Sequence, residues 1–302
     1  MSGKKQFVII LMVFFVLGAI LVAGCTGTQD TATPASSDSG NKGVITGIEP
    51  GAGIMALTEK AIEEYDLDYT LLSSSSAGMA TELTKAIPEK KWIVVTGWTP
   101  HWKFARFDLK YLDDPKGIFG GEEYIATLAR KGLKEDKPGV YAILKRFNWT
   151  AADMETVMLE VEQGATIDTA AANWITANKA TVDGWIGADT TTSGEVSIGY
   201  VLWDSEIAST NVLKQTFEKA GYTVELSAVD AGPVYLAVSK GDVDCTISSW
   251  LPVTHAAYWE KYGDDIDMVG RNLEGAKIGL VVPSYVTINS IDELNGVKDK
   301  FA

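Results

Sequence analysis

Short apolar segments that read as strands alternate with stretches of helical period from Val44 almost to the C-terminus, and this alternation confines the chain to α/β architectures. Val44 leads into Gly-Ile-Glu-Pro-Gly-Ala-Gly at 47–53, after which Ile54, Leu57, Ala61, Ile62 and Tyr65 recur on one side of a helix. Further strands are predicted over 91–97, 196–203, 222–228 and 279–283, and around Val243, Cys245 and Ile247. Helices are predicted over 77–87, with Ser74–Ser76 as its cap, over 136–186 with breaks at Gly164 and Gly184, and over 207–220. Strands separated by helices imply parallel sheets, which bind ligands beyond the carboxyl ends of their strands. At 302 residues the chain suits two domains better than one.

Two pairs of segments echo one another. VVTGWTPHW at 94–102 and ISSWLPVTH at 247–255 each place Trp at a strand end, Pro two residues later and then His. VITGIEPGAG at 44–53 and IGYVLWDSEIA at 198–208 are each strand, loop and helix. Two similar lobes facing one another would give this pattern; chance likeness of short stretches is the alternative.

The N-terminus reads as an address. Lys4 and Lys5 precede an apolar run from Phe7 to Val22, and small residues then lead to Cys25, the layout of a secretory signal at 1–25. Cysteine at the first mature position resembles a lipobox, in which Cys25 would carry a lipid; an uncleaved anchor helix is the alternative. Either arrangement puts the body outside the cytoplasm, on the outer face of the membrane. Residues 26–43 are rich in Thr, Ser, Gly and Asp without apolar periodicity, and are expected to form a flexible linker.

Charge and residue chemistry narrow the function. The formal net charge of -14 excludes a nucleic-acid partner, since an acidic chain repels phosphate. Neither a P-loop, a dinucleotide-binding glycine fingerprint, His-Glu-x-x-His nor Gly-x-Ser-x-Gly occurs, and two histidines offer no compact metal set, so no enzyme, cofactor or metal is predicted. There are nine tryptophans, and Trp98, Trp203 and Trp250 directly follow predicted strands, where an α/β fold opens its cleft. Indoles converging from two lobes can box a quaternary ammonium, which has no N–H to donate and is recognised through its diffuse charge over π faces. Tryptophans serving as sugar platforms in a carbohydrate-active enzyme are the competing reading. On its own, His255 reads as a surface residue after a turn.

GIEPGAGIM at 47–55, TGWTPHW at 96–102, DLKYLDDPKGIFGG at 108–121, WDSEIASTNV at 203–212, SSWLPVTH at 248–255 and GLVVPSY at 279–285 resemble glycine betaine-binding proteins of the OpuAC and ProX type. The resemblance runs from Val44 to the C-terminus. It implies a periplasmic-binding-protein fold, two α/β lobes with a hinge and a ligand cleft between them, in a monomer that hands its ligand to an ABC permease and ATPase. It implies a trimethylammonium cage of Trp98, Trp203 and Trp250, with the ligand's carboxylate held by the backbone N–H groups of Gly47 and Ile48 and by His255. His101 matches the pattern without a ligand role, and Glu49 stands where many relatives have Asp. The order of the motifs makes the C-terminal tail return to the first lobe, so that 44–122 and 284–302 form lobe A and 123–283 lobe B. Glycine betaine, and after it proline betaine, is the implied ligand; choline or another quaternary ammonium compound is the alternative.

Overall fold

A computed structural model describes residues 42–188 and 193–301. The predicted leader at 1–25, Cys25 included, and the linker up to residue 41 lie outside the described residues. Nine strands follow in chain order: β1 (Gly43–Thr46), β2 (Tyr69–Leu72), β3 (Val94–Thr99), β4 (Leu109–Tyr111), β5 (Glu123–Arg130), β6 (Glu195–Tyr200), β7 (Thr223–Ala228), β8 (Cys245–Leu251) and β9 (Ile266–Pro283). Hydrogen bonding runs in the order β2-β1-β3-β9-β5-β8-β6-β7, with β4 on β9.

The same unit is built twice. β1, the helix Gly53–Glu64, β2, the helix Ser76–Ala86 and β3 form a parallel trio in the order β2-β1-β3. β6, the helix Asp204–Lys219, β7, the helix Ala231–Lys240 and β8 repeat it in the order β7-β6-β8. The echoed Trp-x-Pro segments therefore occupy equivalent third strands, β3 and β8. β3 is buried almost throughout, and β8, expected from the alternation of Val243, Cys245 and Ile247 to be half-buried, is buried along its whole length because it lies between β5 and β6; β7 at the edge is only half-buried and alternates.

Purely parallel sheets do not result. β9 runs antiparallel to β3, and β5 antiparallel to both β8 and β9. β9 is long enough to serve both halves: Ile266–Ala276 pair with β5, and Lys277–Pro283 pair with β3 and β4. Residues 277–283, expected to travel with the second half, thus complete the sheet of the first. Val281 and Leu280 are fully buried there, which explains why the segment was legible as a strand. At the C-terminus the Phe301 carbonyl accepts the Val44 N–H at 2.9 Å and the Leu294 carbonyl accepts the Tyr69 hydroxyl at 2.9 Å.

A second group of indoles packs within the second half, in the same continuous core. Trp174 stacks on Trp185 at 5.6 Å, and Trp149 meets Trp174 edge-on at 5.5 Å. These indoles bury area for stability and are distinct from those at the strand ends. No described helix is long and apolar enough to cross a membrane.

Candidate functional site: an indole-walled cavity

Trp98 lies within β3, Trp250 within β8, and Trp203 is the N-cap residue of the helix Asp204–Lys219 just past β6. The two trios face each other, so these positions converge on one cavity. The three indoles, Ile48 and Ile278 form its apolar wall, and Ala52, Gly53, Ile54 and Thr254 close the remainder. Trp98, Trp203 and Trp250 are only 4%, 6% and 2% exposed, so what surface they retain is presented inward.

Each indole is held by its N–H. Trp250 Nε1 donates to Glu206 Oε1 at 2.7 Å, Trp98 Nε1 donates to Ser205 Oγ at 3.2 Å, and Trp203 Nε1 donates to Glu49 Oε1. The last two bonds join opposite halves. Glu49 in the loop after β1 thereby orients Trp203. Lys103 is fully buried, with Nζ 4.0 Å from the centroid of Trp98. Burial pushes its ammonium down to about 7, although the nearby Asp204 carboxylate pulls the other way.

Across the cavity from the rings lies the start of a helix. The helix Gly53–Glu64 begins without a side-chain cap, since its N-cap residue is Ala52, and its first turn lines the cavity with Gly53 and Ile54. Uncapped N–H groups at a helix start, backed by the dipole, favour an anion. A Cβ on Gly53 would lie 1.9 Å from the Thr254 carbonyl oxygen, so only glycine lets the two halves meet here. The Ile48 N–H is given to Met55 Sδ at 3.2 Å, a weak acceptor that a carboxylate outcompetes. Gly47, expected beside Ile48 at the carboxylate, has its N–H committed to the Leu72 carbonyl at 2.8 Å and does not line the cavity.

His255 is 1% exposed, not a surface residue, because it is packed among Trp203, Tyr235 and Tyr258 with centroids 5.7–5.9 Å away. Burial pushes it down to about 3, so the ring is neutral at physiological pH. Its Nδ1 accepts the Trp250 N–H at 3.2 Å, which leaves the proton on Nε2, a buried donor without a partner. The turn before it is clamped by Glu123 at the start of β5, which accepts the N–H groups of Val253 and Thr254, both at 2.8 Å. His101, the other His of the echoed motifs, is fully buried outside the cavity wall; its Nδ1 accepts the Lys103 N–H at 3.2 Å and its Nε2 stands 3.1 Å from Asp204. Burial brings it down to about 4.

Gly53, Ile54, Thr254 and Glu206 were not singled out in the sequence. The Gly-Ala-Gly run opening an uncapped helix was the available signal for the first two; Glu206 carried none.

Two α/β units enclosing a small cavity walled by three indoles define a substrate-binding receptor. The chain belongs to the family described as the substrate binding domain of ABC-type glycine betaine transport systems, which it matches over residues 24–177 and 194–302. It is thus a transport protein and not an enzyme. A glycine betaine/carnitine transport binding protein, GbuC, of Listeria monocytogenes is 46% identical over 284 residues, covering 92% of this chain and 94% of that protein. Among solved structures, lactococcal OpuAC complexed with glycine betaine is 47% identical with a TM-score of 0.44, over 48% of this chain and 57% of that one. ProX from Borrelia burgdorferi is 30% identical with a TM-score of 0.43, over 48% of this chain and 56% of that one.

Proposed function

We propose that the cavity holds a carboxylated quaternary ammonium compound, glycine betaine first and proline betaine second, with the trimethylammonium group among Trp98, Trp203 and Trp250. The carboxylate then meets the neutral Nε2–H of His255 and the backbone N–H groups of Ile48, Gly53 and Ile54. The observation that carries this reading is one cavity walled by three indoles, with His255, whose buried Nε2 has no partner, packed against Trp203. A choline-like ligand has no acceptor for those donors, and leaving them desolvated costs about 1–3 kcal/mol each. The cage is worth roughly 1–2 kcal/mol per desolvated ring face.

We further propose that lobe A, 44–122 with 284–302, closes on lobe B, 123–283, by bending β9 near Ala276–Lys277, where its pairing passes from β5 to β3, and that 277–283 move with lobe A. The protein works as a monomer outside the cytoplasm, tethered through lipidated Cys25 after removal of residues 1–24, and delivers ligand to a permease driven by a separate ATPase.

Intrinsic tryptophan fluorescence of residues 26–302, titrated with glycine betaine, proline betaine, carnitine and choline, tests the ligand assignment. Saturable binding of the carboxylated compounds is expected, weakened at least tenfold by Trp98→Ala, Trp203→Ala or Trp250→Ala. Wild-type affinity in all three variants would refute the cage.

A further inference from the structure

We propose that Glu206 is the counter-charge of the cation bound in the indole cage, and that the ligand drives this carboxylate into its ionised form. The proposal rests on the cage reading above. Glu206 stands in the first turn of the helix Asp204–Lys219 and is 1% exposed. Its Oε1 accepts the Trp250 N–H, and its Oε2 accepts the hydroxyl of Ser205, whose oxygen accepts the Trp98 N–H. One carboxylate therefore grips two of the three cage rings, one from each half of the molecule. Among the described residues, no Lys, Arg or His pairs with it.

A buried carboxylate without a cation is costly to ionise. Burial, with the Asp204 carboxylate nearby, pushes Glu206 up to about 7, against the pull of its Ser205 and Trp250 hydrogen bonds. A permanent cation seated against Trp250 and Trp98 lies one ring away from it, in a dry site where Coulomb attraction is weakly screened. The indole N–H groups transmit the effect, because donation toward an anion leaves the ring face more negative toward a cation. Binding and deprotonation are thereby linked.

Other titratable groups surround this set. Asp204 on the same helix is held below the usual carboxylate range: burial works against this, and the His101 contact overcomes it. His101 and His255, at about 4 and 3, stay neutral near pH 7. Glu155, which faces the His101 loop, is raised by burial. Lys103, on Trp98, is the one rival, because a cation in the cage would also drive a proton from its ammonium.

Glu206→Gln keeps the size and an acceptor for Trp250 while removing the charge, so it separates the two groups. Calorimetric titration with glycine betaine in buffers of different ionisation enthalpy should show wild-type protein releasing protons on binding near pH 7. Its Kd should fall as pH rises from about 5.5 to about 8. The variant should bind about tenfold more weakly near pH 8, match wild type near pH 5.5, and release fewer protons. Equal affinity and equal proton release in both proteins would overturn the proposal and leave Lys103 as the source.

A ligand-free measurement guards against misfolding. A group raised in the folded state stabilises it at low pH, and that stability is lost as pH climbs through about 7. Wild-type protein should therefore lose thermal stability relative to Glu206→Gln between about pH 5.5 and 8; no such divergence would overturn the proposal without reference to any ligand. Absence of saturable binding of every quaternary ammonium compound by wild-type protein would instead sink the cage reading, and the proposal with it.

Discussion

His255 owes its chemistry to burial. Enclosed by three aromatic rings and denied solvent, it stays neutral far below the ordinary imidazole range and keeps one N–H with nothing to bind. Replacing it by Leu should weaken glycine betaine binding about 10- to 100-fold, the equivalent of a charge-assisted hydrogen bond of about 1.5–3 kcal/mol. Choline, lacking the carboxylate, should lose less than about twofold. Calorimetric titration of both ligands checks this; equal losses would reduce His255 to a packing residue. Trp98, Trp203 and Trp250, which line one cavity, were singled out in the sequence because a large ring beside a strand terminus is poorly used by a core. His255 was not, because burial depends on Tyr235 and Tyr258, which reach it only through the tertiary fold.

The helix Gly53–Glu64 illustrates how an element makes a site by omission. Ala52 supplies no capping oxygen to the first N–H groups, and Gly53 admits the Thr254 carbonyl against the helix start. Gly53→Ala puts a methyl group 1.9 Å from that oxygen, a clash between backbones that no rotamer relieves. The variant should fold, with ligand-free thermal stability close to wild type, yet bind glycine betaine at least tenfold more weakly because the halves cannot meet. Normal affinity in fluorescence titration would show that closure does not require this contact. Elements were unequally readable. β3 and the end of β9 carry apolar runs and β8 was read from the alternation of Val243, Cys245 and Ile247, whereas β5 and the first part of β9 escaped notice. Their mutual pairing shifts register at three points, so the two-residue alternation that betrays a strand is broken.

At the scale of the molecule, β9 decides how the halves behave. A single strand supplies ladder bonds to β5 and then, without an intervening loop, to β3 and β4. Neither sheet is complete if the other half melts. Differential scanning calorimetry of residues 26–302 should accordingly give one transition whose calorimetric and van't Hoff enthalpies agree, shifted upward by glycine betaine. Two resolved transitions in ligand-free protein would show that the halves unfold independently. The repeat of β1–β3 in β6–β8 was visible as echoed motifs, but the strand that fastens the copies together was visible only at its buried end. Its other half is interrupted by Gly270 and Gly275 and carries Arg271 and Glu274 outward, which hides it among loop-like residues.

That shared strand also limits how such a receptor can be divided. A gene segment encoding 44–122 alone would yield a sheet ending at β3 with its outward row of N–H and C=O groups bare. One encoding 123–265 would leave β5 in the same condition. Raw edges of this kind recruit neighbouring chains into aggregates, so the two copies of the unit have to be inherited, expressed and truncated as one piece.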